Sequence, residues 1–68
     1  MNAKDRLMDY LVEQSQKNGA TKFTLPLKKK DLASYLGTSP ETLSRQLKSL
    51  EKEGKIKVNR REITIVKD

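Results

Sequence analysis

Between Pro40 and Glu53, the residues Glu41, Ser44, Arg45 and Lys48 stand at i, i+3, i+4 and i+7. On a helix turning by about 100° per residue, these four share one side. Each carries a group that can donate or accept hydrogen bonds, and two of them are cationic. The planar fork of Arg45 can donate to the O6 and N7 of one guanine together, a pairing that discriminates between bases by about 1–3 kcal/mol. The Glu41 carboxylate can accept from the N4 amino group of cytosine or the N6 of adenine. A carboxylate facing a phosphate-lined groove is repelled unless it meets a base donor, so Glu41 would act selectively rather than adhesively. Spaced four apart, Glu41 and Arg45 can also pair, the carboxylate holding the guanidinium in place. Plainer alternatives exist for both. Glu41 in the first turn suits the helix dipole, for about 0.3–1 kcal/mol, and Arg45 can be a solvated surface charge.

Around this quartet lie further groups suited to phosphate. Lys48 and Lys52 extend the same face. Thr42 flanks it, with a hydroxyl that can bond phosphate or its own backbone. Ser39 and the amides of the first turn can hold an anion at the helix start, a role compatible with plain capping by Ser39. Lys28, Lys29 and Lys30 open another helical stretch, where cations oppose the dipole unless an anion comes to them; a solvated charge run is the bland alternative. Arg60 and Arg61 sit in a turn that can reach a phosphate or the minor groove, with an ordinary charged turn as the rival reading.

The leucines give these side chains a direction. Leu43, Leu47 and Leu50 recur at i, i+4 and i+7, on roughly the opposite side from Glu41, Ser44, Arg45 and Lys48. Ser39-Pro40 is a strong helix start, a capping hydroxyl followed by a proline at the first helical position. Upstream, Lys29 to Leu36 reads as a two-turn helix with Leu32, Ala33 and Leu36 apolar, closed by Gly37. Asn2 to Gly19 reads as the first helix, capped by Asn2, with Ala3, Leu7, Tyr10 and Leu11 on one face and Asn18-Gly19 as its stop. Thr21 to Leu25 alternates as a short strand, which Pro26 confines to a sheet edge or to a few residues. Ile56-Lys57-Val58 and Ile63-Thr64-Ile65 alternate with period two and are joined by Asn59-Arg60-Arg61, a hairpin. The expected fold is α+β, mainly α: a winged helix-turn-helix of three helices, a short strand and a C-terminal β-hairpin wing, with residues 1–68 forming one domain.

Composition narrows the function further. Sixty-eight residues of 7.8 kDa leave little room for a deep catalytic cavity. There is no His and no Cys, so the usual zinc sites, thiol nucleophiles and His-based triads have no residues to build them. No catalytic residue, metal ligand or cofactor is expected. The net charge is +6, and residues 28–68 hold eleven positive against six negative side chains, so the basic excess lies with the groups above. An anionic partner follows, and nucleic acid is the commonest. The longest apolar run is Tyr10-Leu11-Val12, so no membrane partner and a cytoplasmic location are expected. Phe23, Tyr10 and Tyr35 all fit apolar faces, which argues against stacking on single strands. A winged-helix module that contacts protein is the alternative, although the polar side of the third helix does not favour it.

From about Asp5 to Val66 the chain resembles the DNA-binding domain of the CRP/FNR family of bacterial transcription regulators. The carriers are L-P-L-K-K-K-D-L-A-S-Y-L-G-T-S-P-E-T-L-S-R-Q-L-K-S-L-E-K-E-G-K-I and the V-N-R-R-E-I-T-I that follows. The resemblance implies sequence-specific double-stranded DNA binding. Glu41 and Arg45 would read base edges, with Ser44 also at the DNA. It implies a palindromic operator with one half-site per domain, a homodimer in the full-length protein, and RNA polymerase as a further candidate partner. Where cyclic-AMP-type members carry a guanine-reading Arg, this chain has Pro40. The E-x-x-S-R arrangement is closer to the FNR branch and suggests a TTGA-like half-site. Lys28 stands where many members have a capping Ser or Thr. The effector β-roll and dimerisation helix of full-length members are absent from this sequence, so the resemblance implies an output domain without its sensor.

Overall fold

The computed structural model of the chain describes residues 2–67. Helix α1 spans Ala3–Asn18 and begins where the Asn2 side chain accepts a hydrogen bond from the Asp5 amide at 2.9 Å. That contact satisfies one of the amides left unpaired at a helix start. The helix ends at Gly19, whose φ of 64° reverses the chain in a conformation that costs a side-chain-bearing residue about 1–2 kcal/mol. Strand β1, Lys22–Thr24, follows and buries Phe23. Helix α2, Lys29–Tyr35, buries Leu32 and Ala33. Residues 36–39 then turn the chain, with Gly37 at φ 73° and the Thr38 amide donating to the Ala33 carbonyl at 2.8 Å. Helix α3, Pro40–Lys52, buries Leu43, Leu47 and Leu50. Strands β2, Ile56–Asn59, and β3, Glu62–Ile65, close the domain as a hairpin.

The three strands form one antiparallel sheet in the order β1-β3-β2. The short strand thus joins the wing, with Phe23 opposite Ile63 and Ile63 opposite Val58. Pro26 leaves β1 an edge strand of three residues, and the pairing runs on just past its ends: Leu25 donates to the Arg61 carbonyl, and Ile65 to that of Thr21, both at 2.8 Å. At the opposite edge, the Val58 amide donates to the Glu51 carboxylate on α3 at 3.2 Å. An edge amide that could recruit another strand is therefore covered from within the chain. The wing turn is shorter than expected, because Asn59 pairs with Glu62 and only Arg60 and Arg61 lie between the strands.

One core joins the elements. Leu7 and Leu11 of α1, Phe23 and Leu25, Leu32 and Ala33, the three α3 leucines, Ile56 and Ile63 form a single buried cluster. No polar or charged residue is buried with them among the described residues. The expectation for Tyr35 fails: its side chain is 68% exposed, its ring set 5.8 Å from that of Tyr10. The inward face of α2 is taken by Leu32 and Ala33, with Leu36 at its C-cap packed against the same core, and Tyr35 falls outside that face. No helix among the described residues is long and apolar enough to cross a membrane.

At the surface, the Lys4 ammonium on α1 meets the Glu53 carboxylate and the Ser49 hydroxyl, joining the ends of α1 and α3. The hydrogen bond from Lys4 holds the Glu53 carboxyl below its ordinary pKa; burial opposes this, and Lys55 adds to it. A lowered folded-state pKa stabilises the fold above the unfolded carboxylate pKa, and that contribution is lost as pH falls through the folded value. Thermal unfolding of Glu53→Gln across the acid range should therefore show a shallower loss of melting temperature than the parent. In the core, Leu43→Ala should cost about 2–5 kcal/mol, read by denaturant unfolding, because Leu43 is fully enclosed and its site cannot collapse without moving α3.

Candidate nucleic-acid interface

The start of α3 is defined by Ser39, which is extended (φ −96°, ψ 157°) and accepts a hydrogen bond from the Thr42 amide at 3.1 Å. Pro40 occupies the first helical position, where its missing N–H costs nothing. Rotation about the axis is set by Leu43, Leu47 and Leu50, which are 0%, 2% and 1% exposed. With these three inward, Glu41, Arg45, Lys48 and Lys52 are exposed and Ser44 is half-buried. The four groups at i, i+3, i+4 and i+7 thus lie on the outward side of the helix, on the second helix of a helix-turn-helix.

The pairing expected between Glu41 and Arg45 does not form. Arg45 instead donates from Nη2 to the Thr42 Oγ1 at 3.0 Å, and that oxygen also accepts from the Ser39 hydroxyl at 3.0 Å. Ser39, Thr42 and Arg45 make a chain of side chains running up the first two turns. The reason is local: Thr42 stands three residues before Arg45, and its hydroxyl is already held by the helix cap. The Thr42 oxygen thus accepts from two side chains, and its own O–H donates to no backbone group among the described residues. Glu41 forms no ion pair among the described residues, which leaves its carboxylate as an acceptor. The spacing S-x-x-T-x-x-R carries this link, yet reading by i, i+4 alone passes over it.

The other cations lie on separate elements. Lys28 precedes α2 as its cap residue and makes no side-chain cap bond, so the capping hydroxyl common at such a position is not replaced within the chain. Lys28 and Lys30 are exposed, and Lys29 is half-buried. Arg60 and Arg61 form the wing turn but differ in use. Arg60 is exposed, with a left-handed φ of 57°. Arg61 turns its guanidinium back, Nη2 donating to the Leu25 carbonyl at 2.8 Å, and so ties the wing to the end of β1. This anchoring role went unread in the sequence because the two residues lie far apart along the chain.

Three helices, a tight turn before the third and a three-stranded sheet define a winged helix-turn-helix. Residues 5–67 match the family described as the Crp-like helix-turn-helix domain, and the chain belongs to that family. Membership places it among helix-turn-helix DNA-binding domains. The chain is similar to the transcriptional regulatory protein btr of Bordetella pertussis, 32% identical over 97% of this chain and 29% of that protein. It is also similar to the transcriptional activator protein FnrL of Cereibacter sphaeroides, 37% identical over 88% of this chain and 24% of that protein. The chain thus spans less than a third of the length of either relative.

The left-handed arginine in the wing turn gives a direct stability test. Arg60→Gly should raise stability by up to about 1 kcal/mol, relief of the left-handed cost of about 1–2 kcal/mol being partly offset by the freedom glycine adds to the unfolded chain. An unchanged or lower melting temperature would show instead that the Arg60 side chain supports the folded turn.

Proposed function

We propose that the chain binds double-stranded DNA in a sequence-specific manner, with α3 in the major groove and one half-site per domain. The observation that carries this reading is the rotation of α3: its buried leucines leave Glu41 and Arg45 exposed together in the first two turns. In a helix-turn-helix, the N-terminal residues of the second helix meet base edges. Arg45 would read a guanine through its fork, Glu41 would accept from an exocyclic amine, and Ser44 would supply a short hydroxyl between them. Lys28, Lys29, Lys30, Ser39, Thr42, Lys48, Arg60 and Arg61 would contact phosphate and fix register, although Arg61 also donates to the Leu25 carbonyl. Phosphate contacts position the protein, while base contacts specify the sequence.

The names of btr and FnrL support a role in transcription regulation, and the family resemblance supports two such domains engaging a palindromic operator as a homodimer, with RNA polymerase as a further partner. The resemblance of the E-x-x-S-R residues to the FNR branch supports a TTGA-like half-site. A single domain would bind weakly, near the non-specific range of about 10⁻⁴–10⁻⁶ M.

The division of labour can be measured by titrating duplexes selected from a random pool at several salt concentrations. Arg45→Ala should flatten preference at one base pair, by about 1–3 kcal/mol. Lys48→Ala should weaken all duplexes alike and reduce the salt slope by about one. Equal loss of preference from both substitutions would reject the separation of base-reading from phosphate-binding residues.

A further inference from the structure

The contact between Thr42 and Arg45 bears on how an exposed arginine could read a base with any precision. A free arginine on a helix surface samples many rotamers, and each must be given up on binding. Arg45 is not free in this sense, because its Nη2 donates to the Thr42 Oγ1 at 3.0 Å. That oxygen is fixed in turn. The Ser39 hydroxyl donates to it at 3.0 Å, and the Ser39 oxygen accepts from the Thr42 amide at 3.1 Å. The arrangement closes a small ring of bonds between the cap and the first turn, and the guanidinium hangs from it.

Several features suit Thr42 to this task. Its branched side chain has few accessible χ1 states on a helix. The Thr42 oxygen accepts from two side chains at once. The residue is half-buried, although both bonds to its hydroxyl lie at the exposed surface. Glu41, the other group within one turn of Arg45, is not paired to it and stays available as an acceptor. The bond to Thr42 engages one side of one Nη atom and leaves further guanidinium N–H groups to donate in parallel.

We propose that Thr42 is a positioning residue: through its hydroxyl, locked by the Ser39 cap, it sets the direction of the Arg45 guanidinium before any DNA arrives. The inference rests on the proposal that Arg45 reads a base, and it adds what aims it. Preorganisation of this kind sharpens recognition by reducing the ordering cost of the bound geometry. Specificity at one base pair then depends on three residues spaced three apart, of which only the last meets the base.

The test uses the 68-residue chain, a duplex it selects from a random pool, and duplexes changed at the base pair whose preference Arg45→Ala removes. Thr42→Val keeps the branched shape but has no acceptor; Thr42→Ser keeps the acceptor. Thr42→Val should lower the affinity ratio of selected over changed duplex about two- to tenfold, the worth of one hydrogen bond, with the salt slope unaltered. Thr42→Ser should restore most of that ratio. Independently of DNA, ¹⁵Nε relaxation should show a looser Arg45 side chain in Thr42→Val and a parental one in Thr42→Ser. An Arg45 side chain equally ordered in the parent and Thr42→Val would overturn the proposal, as would uniform weakening on every duplex, which marks a phosphate contact alone. Should Arg45→Ala erase preference at no base pair, the base-reading proposal itself fails. The relaxation measurement then decides the positioning role alone: loosening in Thr42→Val supports it, and no loosening rejects it.

Discussion

The burial of Leu43, Leu47 and Leu50 is the constraint on which the rest of the domain depends. A helix with one apolar seam has a single rotation at which that seam is out of water. Turning α3 by half a revolution would expose three leucines, at about 1.5–3 kcal/mol each, and would force Glu41 and Arg45 into an apolar interior. The two outcomes have one cause, so the same residues that stabilise the fold aim the polar face outward. A substitution on the leucine seam is therefore never only a stability change. It also loosens the direction in which the opposite side chains point.

The seam is held at both ends by polar contacts of different kinds. At the N-terminus, Ser39 caps the helix and fixes where its first turn begins. At the C-terminus, Glu51 accepts from the Val58 amide of the wing, while Ser49 and Glu53 meet Lys4 of α1. The wing is tied separately to β1 by Arg61. Exposed pairs of this type contribute little to stability one by one. Their effect is geometric: they link α3, the wing and α1 so that the outward face of α3 and the wing turn keep a set relation. In a chain of this size, with a core of eleven buried residues, such links limit how far the elements can shift on that core.

What could be read from the sequence follows the distance over which each signal acts. The leucine seam, the caps at Asn2 and Ser39, the stop at Gly19 and the two wing strands are local patterns, and the structure shows all of them, with burial alternating along β2 and centred on Ile63 in β3. The pairing of β1 with β3, the Arg61 clamp and the Lys4–Glu53 bridge join residues far apart along the chain, and no spacing rule reaches that far. Two misreadings are local and instructive. Arg45 was expected to pair with Glu41 four residues back, yet a hydroxyl three residues back, already immobilised by the cap, takes the guanidinium. Tyr35 was expected on an apolar face, yet a helix of seven residues buries only two of its side chains and leaves the ring outside. The first turns on the neighbour three residues back that an i, i+4 reading passes over, the second on how few side chains a short helix buries.

The placement of charge fits a division between strength and selectivity of binding. Attraction to a polyanion is long-ranged and forgiving, falling off over roughly 10 Å at moderate salt, so cations serve it from almost any exposed site. The chain spreads these over the start of α2, the later turns of α3 and the wing, on side chains with few internal partners. Hydrogen bonding to a base edge tolerates errors of only a few tenths of an ångström and a modest angle. The groups proposed for it lie in the first two turns of α3, with the Ser39 cap beneath them, the buried leucines behind them and a hydroxyl holding Arg45. Rigid structure is scarce in so small a domain. On the proposed reading, the contacts that hold Arg45 lie where a misplaced donor would lose discrimination, and the exposed cations elsewhere would need only proximity to phosphate.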